Sequence, residues 1–151
     1  MYAVGFVDAG STWHRASREL FSRAAEPNSS VQLVTATLTV DEVVFILLQE
    51  LAARPPYGVG RSRSQYLAEH PDVVRELMRV VEAPLADLVE LLTLEPVVPA
   101  DVLGMQAVMA TTGLLPRDAL HVAVMRRVGL STLVSDDTAF DRCAGITRLA
   151  P

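Results

Sequence analysis

A chain of 151 residues, half of them hydrophobic, is long enough to bury a full core and is expected to form one domain over 1–151. Its net charge of −5 argues against a dedicated nucleic-acid coat, and no apolar run approaches the ~20 residues of a membrane span. One cysteine, Cys143, excludes an internal disulfide framework or cysteine-rich zinc site, and thirteen cations that are all arginine exclude Schiff-base and phosphate-loop lysine chemistry. The N-terminus lacks a signal-peptide pattern, so the expected setting is soluble, reducing and cytoplasmic.

In chain order, Ala3 to Val7 is a short apolar run bounded by Asp8, Gly10 and Ser11, which predicts a buried strand and a turn. Ser11 or Thr12 is placed to cap a helix reaching about Ala25, with Trp13, Ala16, Leu20, Phe21 and Ala24 at helical spacing. Val31 to Thr37 predicts a second strand. Thr39 and Glu42 have the spacing of a capping box before an apolar helix from Val43 to Ala53. Arg54 to Ser64, rich in Pro, Gly and Arg, predicts a mobile loop. Gln65 to Leu92 predicts two or three helices broken near Pro71 and Pro84, followed by a strand over Thr93 to Val98. A helix over Asp101 to Thr112 stops at Gly113, and another opens at Pro116 and stops at Gly129. Ser131 to Ser135 predicts a strand delivering Asp136 and Asp137, and Ile146 to Leu149 a last one. Alternating strands and helices predict an α/β fold with a mainly parallel sheet.

In such a fold the functional crevice lies beyond the carboxyl ends of the strands. Asp8 follows the first predicted strand, Glu42 and Asp118 open helices, and Asp136 and Asp137 follow the fourth strand. Carboxylates brought together repel, and a hard divalent ion relieves that repulsion while activating water. Each acid also has a plainer reading. Glu42 completes a capping box, Asp118 favours a helix N-terminus, and Asp136 or Asp137 caps the turn over Thr138 to Asp141. Asp41, Asp72, Asp87 and Asp101 read as solvated residues of helix faces or first turns.

On these residues the chain resembles the PIN-domain family, and within it the VapC-type toxins. The motifs are FVDAGS around Asp8, TLTVDEV around Glu42, RDALHVAV around Asp118 and TLVSDDTAFDRCAGI around Asp136 and Asp137. The resemblance implies a three-layer α/β/α fold with a central, mainly parallel sheet. It also implies Mg²⁺ or Mn²⁺ binding, hydrolysis of RNA phosphodiesters, a homodimer and a small VapB-type antitoxin. By motif match Asp8, Glu42 and Asp118 take the first three acidic places, and the fourth falls to Asp137, with Asp136 as a further candidate ligand. The implied roles are metal anchoring by Asp8 and Asp118, orientation of water by Glu42, and completion of the site by Asp137 and Asp136. The chain departs from the family where Ala9 and Gly10 stand in place of Thr or Ser followed by Asn or Ser.

Arg54, Arg61 and Arg63 are candidates for RNA backbone contact, or for a merely solvated loop, and Arg15 with Arg18 for the pocket rim or an antitoxin's acidic tail. His14, His70 and His121 read as packing histidines, Cys143 as structural, and Trp13 and Phe140 as core. Two further functions remain open: a housekeeping PIN nuclease without an antitoxin, and a non-catalytic PIN module that binds RNA or protein.

Overall fold

The computed structural model describes residues 2–150 and divides them into two compact units. One contains residues 2–33 and 39–93, and the other residues 34–38 and 94–150.

The first unit opens with helix α1 (Tyr2–Val7), where a strand was expected. Six apolar residues carry no periodicity that separates helix from strand, so tertiary packing decides. Gly5 lets α1 close on α2 (His14–Ala24): a Cβ at Gly5 would lie 2.5 Å from Ser17 Oγ and 2.9 Å from the Trp13 backbone carbon. Tyr2 meets Trp13 edge to face at 5.4 Å, Phe6 meets Phe21 at 4.7 Å, and the Arg18 guanidinium lies 4.8 Å from the Phe6 ring centre. His14 Nδ1 lies 2.8 Å from the Gly5 carbonyl oxygen. Neither Ser11 nor Thr12 caps α2. Its N-cap is Trp13, and the Ser11 hydroxyl instead accepts the Trp13 N–H.

Helix α3 (Thr37–Ala52) begins directly after β1 (Val34–Ala36), so the expected strand is shorter and the helix earlier. Thr39 and Glu42 consequently lie inside the helix rather than at its N-terminal boundary. Val43 and Leu47 of α3 join Val4, Phe6, Phe21, Val81 and Leu88 in one core. The last two belong to α5 (Pro71–Glu90), which follows α4 (Arg63–Glu69). Pro71 opens α5 as expected, but Pro84 does not break it. An interior proline costs a helix about 3 kcal/mol. Val73, Leu77, Val81 and Leu88 are buried on both sides of Pro84, each worth roughly 1.5–3 kcal/mol, and this outweighs the cost.

The expected mobile loop after α3 is fastened at its root. The Arg54 carbonyl accepts the Tyr57 and Gly58 N–H groups, and Val59 N–H reaches the Ala52 carbonyl at 2.9 Å.

In the other unit, α6 (Pro99–Thr112) packs on α7 (Pro116–Val128), and Gly113 and Gly129 end them at φ 68° and 77°. This left-handed conformation favours glycine, as the stop signals implied. Strand β2 (Thr93–Glu95) pairs with β1, and β3 (Thr132–Val134) pairs in parallel with β4 (Thr147–Leu149), Thr132 facing Thr147. A 3₁₀ turn (Thr138–Arg142) connects β3 to β4 and buries Phe140 beside Val108, Leu114, Ala119, Val122 and Cys143. Helices and parallel strand pairing make this an α/β, PIN-like fold. The strands of the described residues form two sheets of two strands each. None of the described helices is long and apolar enough to cross a membrane.

Cys143 is structural in this setting. Burial pushes its thiol pKa up, more than the Arg126 and Arg142 charges pull it down. A thiol-reactive dye is therefore expected to label it promptly in denaturant and not over the same minutes in native buffer. Prompt native labelling would contradict the buried position.

Candidate functional site

Asp8 follows α1 and is 8% exposed. Its backbone N–H continues the helix to the Val4 carbonyl, while its side chain turns back, Oδ1 accepting the Gly10 N–H at 3.0 Å. Arg54 then closes on the carboxylate as a fork, Nη1 on Oδ1 at 2.8 Å and Nη2 on Oδ2 at 2.6 Å. The Arg54 hydrogen bonds hold Asp8 below the usual carboxylate range; burial opposes this, and the Gly10 N–H and the charges of Arg54 and His14 assist it. Arg54 was a candidate for RNA backbone contact or for a solvated loop. Here it is the partner of Asp8, 46 residues away in sequence.

Glu42 sits in the second turn of α3, half-buried. Asp118 stands in the first turn of α7, half-buried and well placed for the helix dipole. Asp136 is half-buried with Oδ2 sealed from solvent, whereas Asp137 is exposed and caps the 3₁₀ turn, Oδ1 accepting the Ala139 N–H at 2.8 Å. Of the two adjacent acids, Asp137 therefore does the expected capping. Asp8 and Glu42 belong to one unit, and Asp118, Asp136 and Asp137 to the other.

Two arginines that the sequence left unassigned, Arg127 and Arg148, organise the second unit. From β4, Arg148 donates through Nε and Nη2 to Asp141 at 2.8 and 3.1 Å, and through Nη1 to the Ser135 carbonyl at 3.0 Å. Its pKa is raised by Asp141 foremost, with Asp136 and Asp137 adding their charges. The parallel register, with Arg148 opposite Leu133, carries it to the carboxyl end of β3, and no local signal announces that pairing. Arg127 holds Asp101, which is 2% exposed and not the solvated residue expected. Asp101 Oδ2 accepts the Val98 N–H at 2.9 Å and Oδ1 accepts Arg127 Nε at 2.8 Å.

Of the candidate RNA-contact arginines, Arg15 and Arg61 are exposed. Arg63 reaches Glu50 at 3.2 Å and the carbonyls of Val59 and Gly60.

The oxygen donors of these acids have the chemistry a hard divalent ion takes. Both Asp8 oxygens are engaged by Arg54, and within neither unit do three His, Cys, Asp or Glu side chains of the described residues gather closely enough to hold a metal.

An α/β fold of helices and parallel strand pairs, with a buried aspartate after its first element, defines the class of this protein. The PIN domain family model matches residues 3–146, and the chain belongs to that family. PIN domains are generally nucleases, hydrolases of phosphodiester bonds, and typically use divalent metals. No curated protein sequence matches the chain.

Proposed function

We propose that this protein is a Mg²⁺- or Mn²⁺-dependent endoribonuclease acting in the cytoplasm, and the toxin of a VapBC-type pair. On this reading it works as a homodimer restrained by a small antitoxin, within a single domain over 1–151. The observation that carries the reading is the PIN match across residues 3–146, a span that contains Asp8, Glu42, Asp118, Asp136 and Asp137. Cleavage would depend on Asp8, Glu42, Asp118 and Asp137, with Asp136 as the more buried neighbour of the last. Arg15, Arg54, Arg61 and Arg63 remain the proposed contacts for RNA or antitoxin.

One observation favours a second reading, a non-catalytic PIN module: Arg54 already occupies both oxygens of Asp8. Cleavage of a mixed, structured RNA pool separates the two. Purified wild type, Asp8→Asn and Asp118→Asn are compared with Mg²⁺, with Mn²⁺ and with EDTA. Metal-dependent cutting that drops by at least about a hundredfold in both variants is expected. An inert wild type that also binds no divalent ion in a calorimetric titration would hand the lead to the binding module.

A further inference from the structure

We infer that Arg54 is the resident counter-cation of Asp8 and competes with any divalent ion for that carboxylate. The inference rests on the metal-dependent reading proposed above. A guanidinium fork on both oxygens at 2.8 and 2.6 Å neutralises Asp8 where it is buried, so a doubly charged ion at the same oxygens would face an adjacent like charge. The root of Arg54 is fixed by the Tyr57 and Gly58 N–H groups on its carbonyl, so the fork is presented rather than met by chance. With its side chain 37% exposed, the guanidinium also has a path out to solvent.

Gly10 completes the arrangement. A Cβ there would lie 3.0 Å from Arg54 Nη1 and 3.1 Å from its Cζ, so any side chain at this position pushes against the guanidinium. Gly10 is also where the chain departs from the polar residue expected of a PIN domain. Glycine at position 10 and arginine at position 54 are thus one device: the missing side chain makes the space that the guanidinium fills.

The test is Mn²⁺ binding to the full chain, by calorimetry, for wild type, Arg54→Gln, Gly10→Ser, Asp8→Asn and the double variant Asp8→Asn/Arg54→Gln. Arg79→Gln, at an exposed site, controls for the change in net charge. Arg54→Gln and Gly10→Ser are expected to bind at least about fivefold more tightly than wild type, a coupling in the usual range between linked sites. Arg79→Gln should not show the gain, and the double variant should lose it. Gly10→Ser keeps both charges of the pair, so it carries the test should Arg54→Gln fold poorly. Equal or weaker binding by the two variants, with wild type still binding, overturns the competition and leaves the metal-dependent reading standing. Absence of binding in every variant overturns both.

Discussion

Asp101→Ala is expected to destabilise the protein by about 2–3 kcal/mol, the sum of a lost helix cap near 1 kcal/mol and a charge-assisted hydrogen bond of about 1.5–3 kcal/mol, partly offset by relaxation. At roughly 2–4 °C per kcal/mol for a chain of this size, the thermal midpoint should fall by about 4–12 °C. The reason lies in how much converges on one carboxylate. Oδ2 takes the Val98 N–H at the start of α6, and Oδ1 takes Arg127 from the last turn of α7. Arg127 also donates to the Pro96 carbonyl at 2.7 Å and pairs with Glu95 at 3.6 Å. Alanine removes both acceptors from a site that is 2% exposed.

The same substitution has a pH signature. Burial pushes the Asp101 carboxyl up, but the Arg127 hydrogen bond and charge and the Val98 N–H outweigh it, so the folded pKa lies below the ordinary value. A depressed carboxylate pKa gives stability that is fully present above the unfolded value, near 3.9, and lost as pH falls through the folded one. The gap between wild type and Asp101→Ala, measured by urea unfolding, should therefore be widest at neutral pH and shrink below about pH 4. A gap that does not change with pH would show that the charge of Asp101 contributes nothing.

Gly5→Ala is the second large effect, and two physical terms give it opposite signs. Helix propensity favours alanine over glycine by about 1 kcal/mol inside a helix. Packing opposes it, because the new Cβ would meet Ser17 Oγ at 2.5 Å, Trp13 Cβ at 2.8 Å and the Trp13 backbone at 2.9 Å. Overpacking of this kind costs about 1–3 kcal/mol and more where backbone must move. Packing should win. A net loss of about 1–2 kcal/mol is expected in denaturant unfolding. Emission from Trp13, the chain's one tryptophan, should shift with it. A stabilised Gly5→Ala would refute the close crossing of α1 on α2.

The half of the chain from α6 onward was legible because its signals are local. Pro116 opens a helix, Gly113 and Gly129 end helices, and Thr132–Val134 is a β-rich run that follows the second of them. At the N-terminus the deciding contacts are not local. Nothing within 3–7 shows that Gly5 will press on Trp13 and Ser17, and without that contact a short apolar run reads equally well as a strand. Pro84 misled for a related reason, since its helix is held by leucines and valines whose partners lie elsewhere in the chain.

The candidate site divides in the same way. The acids were visible as motif positions, but their partners were not. Arg54 meets Asp8 across 46 residues, and Arg127 meets Asp101 across 26. Glu42 lies in the second turn of α3 because the helix starts at Thr37, earlier than the local sequence implied. Asp101 was misplaced because a first-turn aspartate is normally wet, and only the arginine from α7 makes its burial affordable.

The ties within residues 94–150 also bear on the order in which the chain acquires structure. Helices α6 and α7 are joined by three residues, Gly113 to Leu115, and β3 finds β4 fifteen positions on, Thr132 against Thr147. Among its described side-chain ties, Arg127 to Glu95 closes 32 residues and Arg127 to the Pro96 carbonyl closes 31. Short closures sacrifice little chain entropy before their contacts form, so this segment is the part of the protein suited to collapse early. Asp8 and Arg54, by contrast, close a longer loop of 46 residues, at a slightly larger cost in chain entropy.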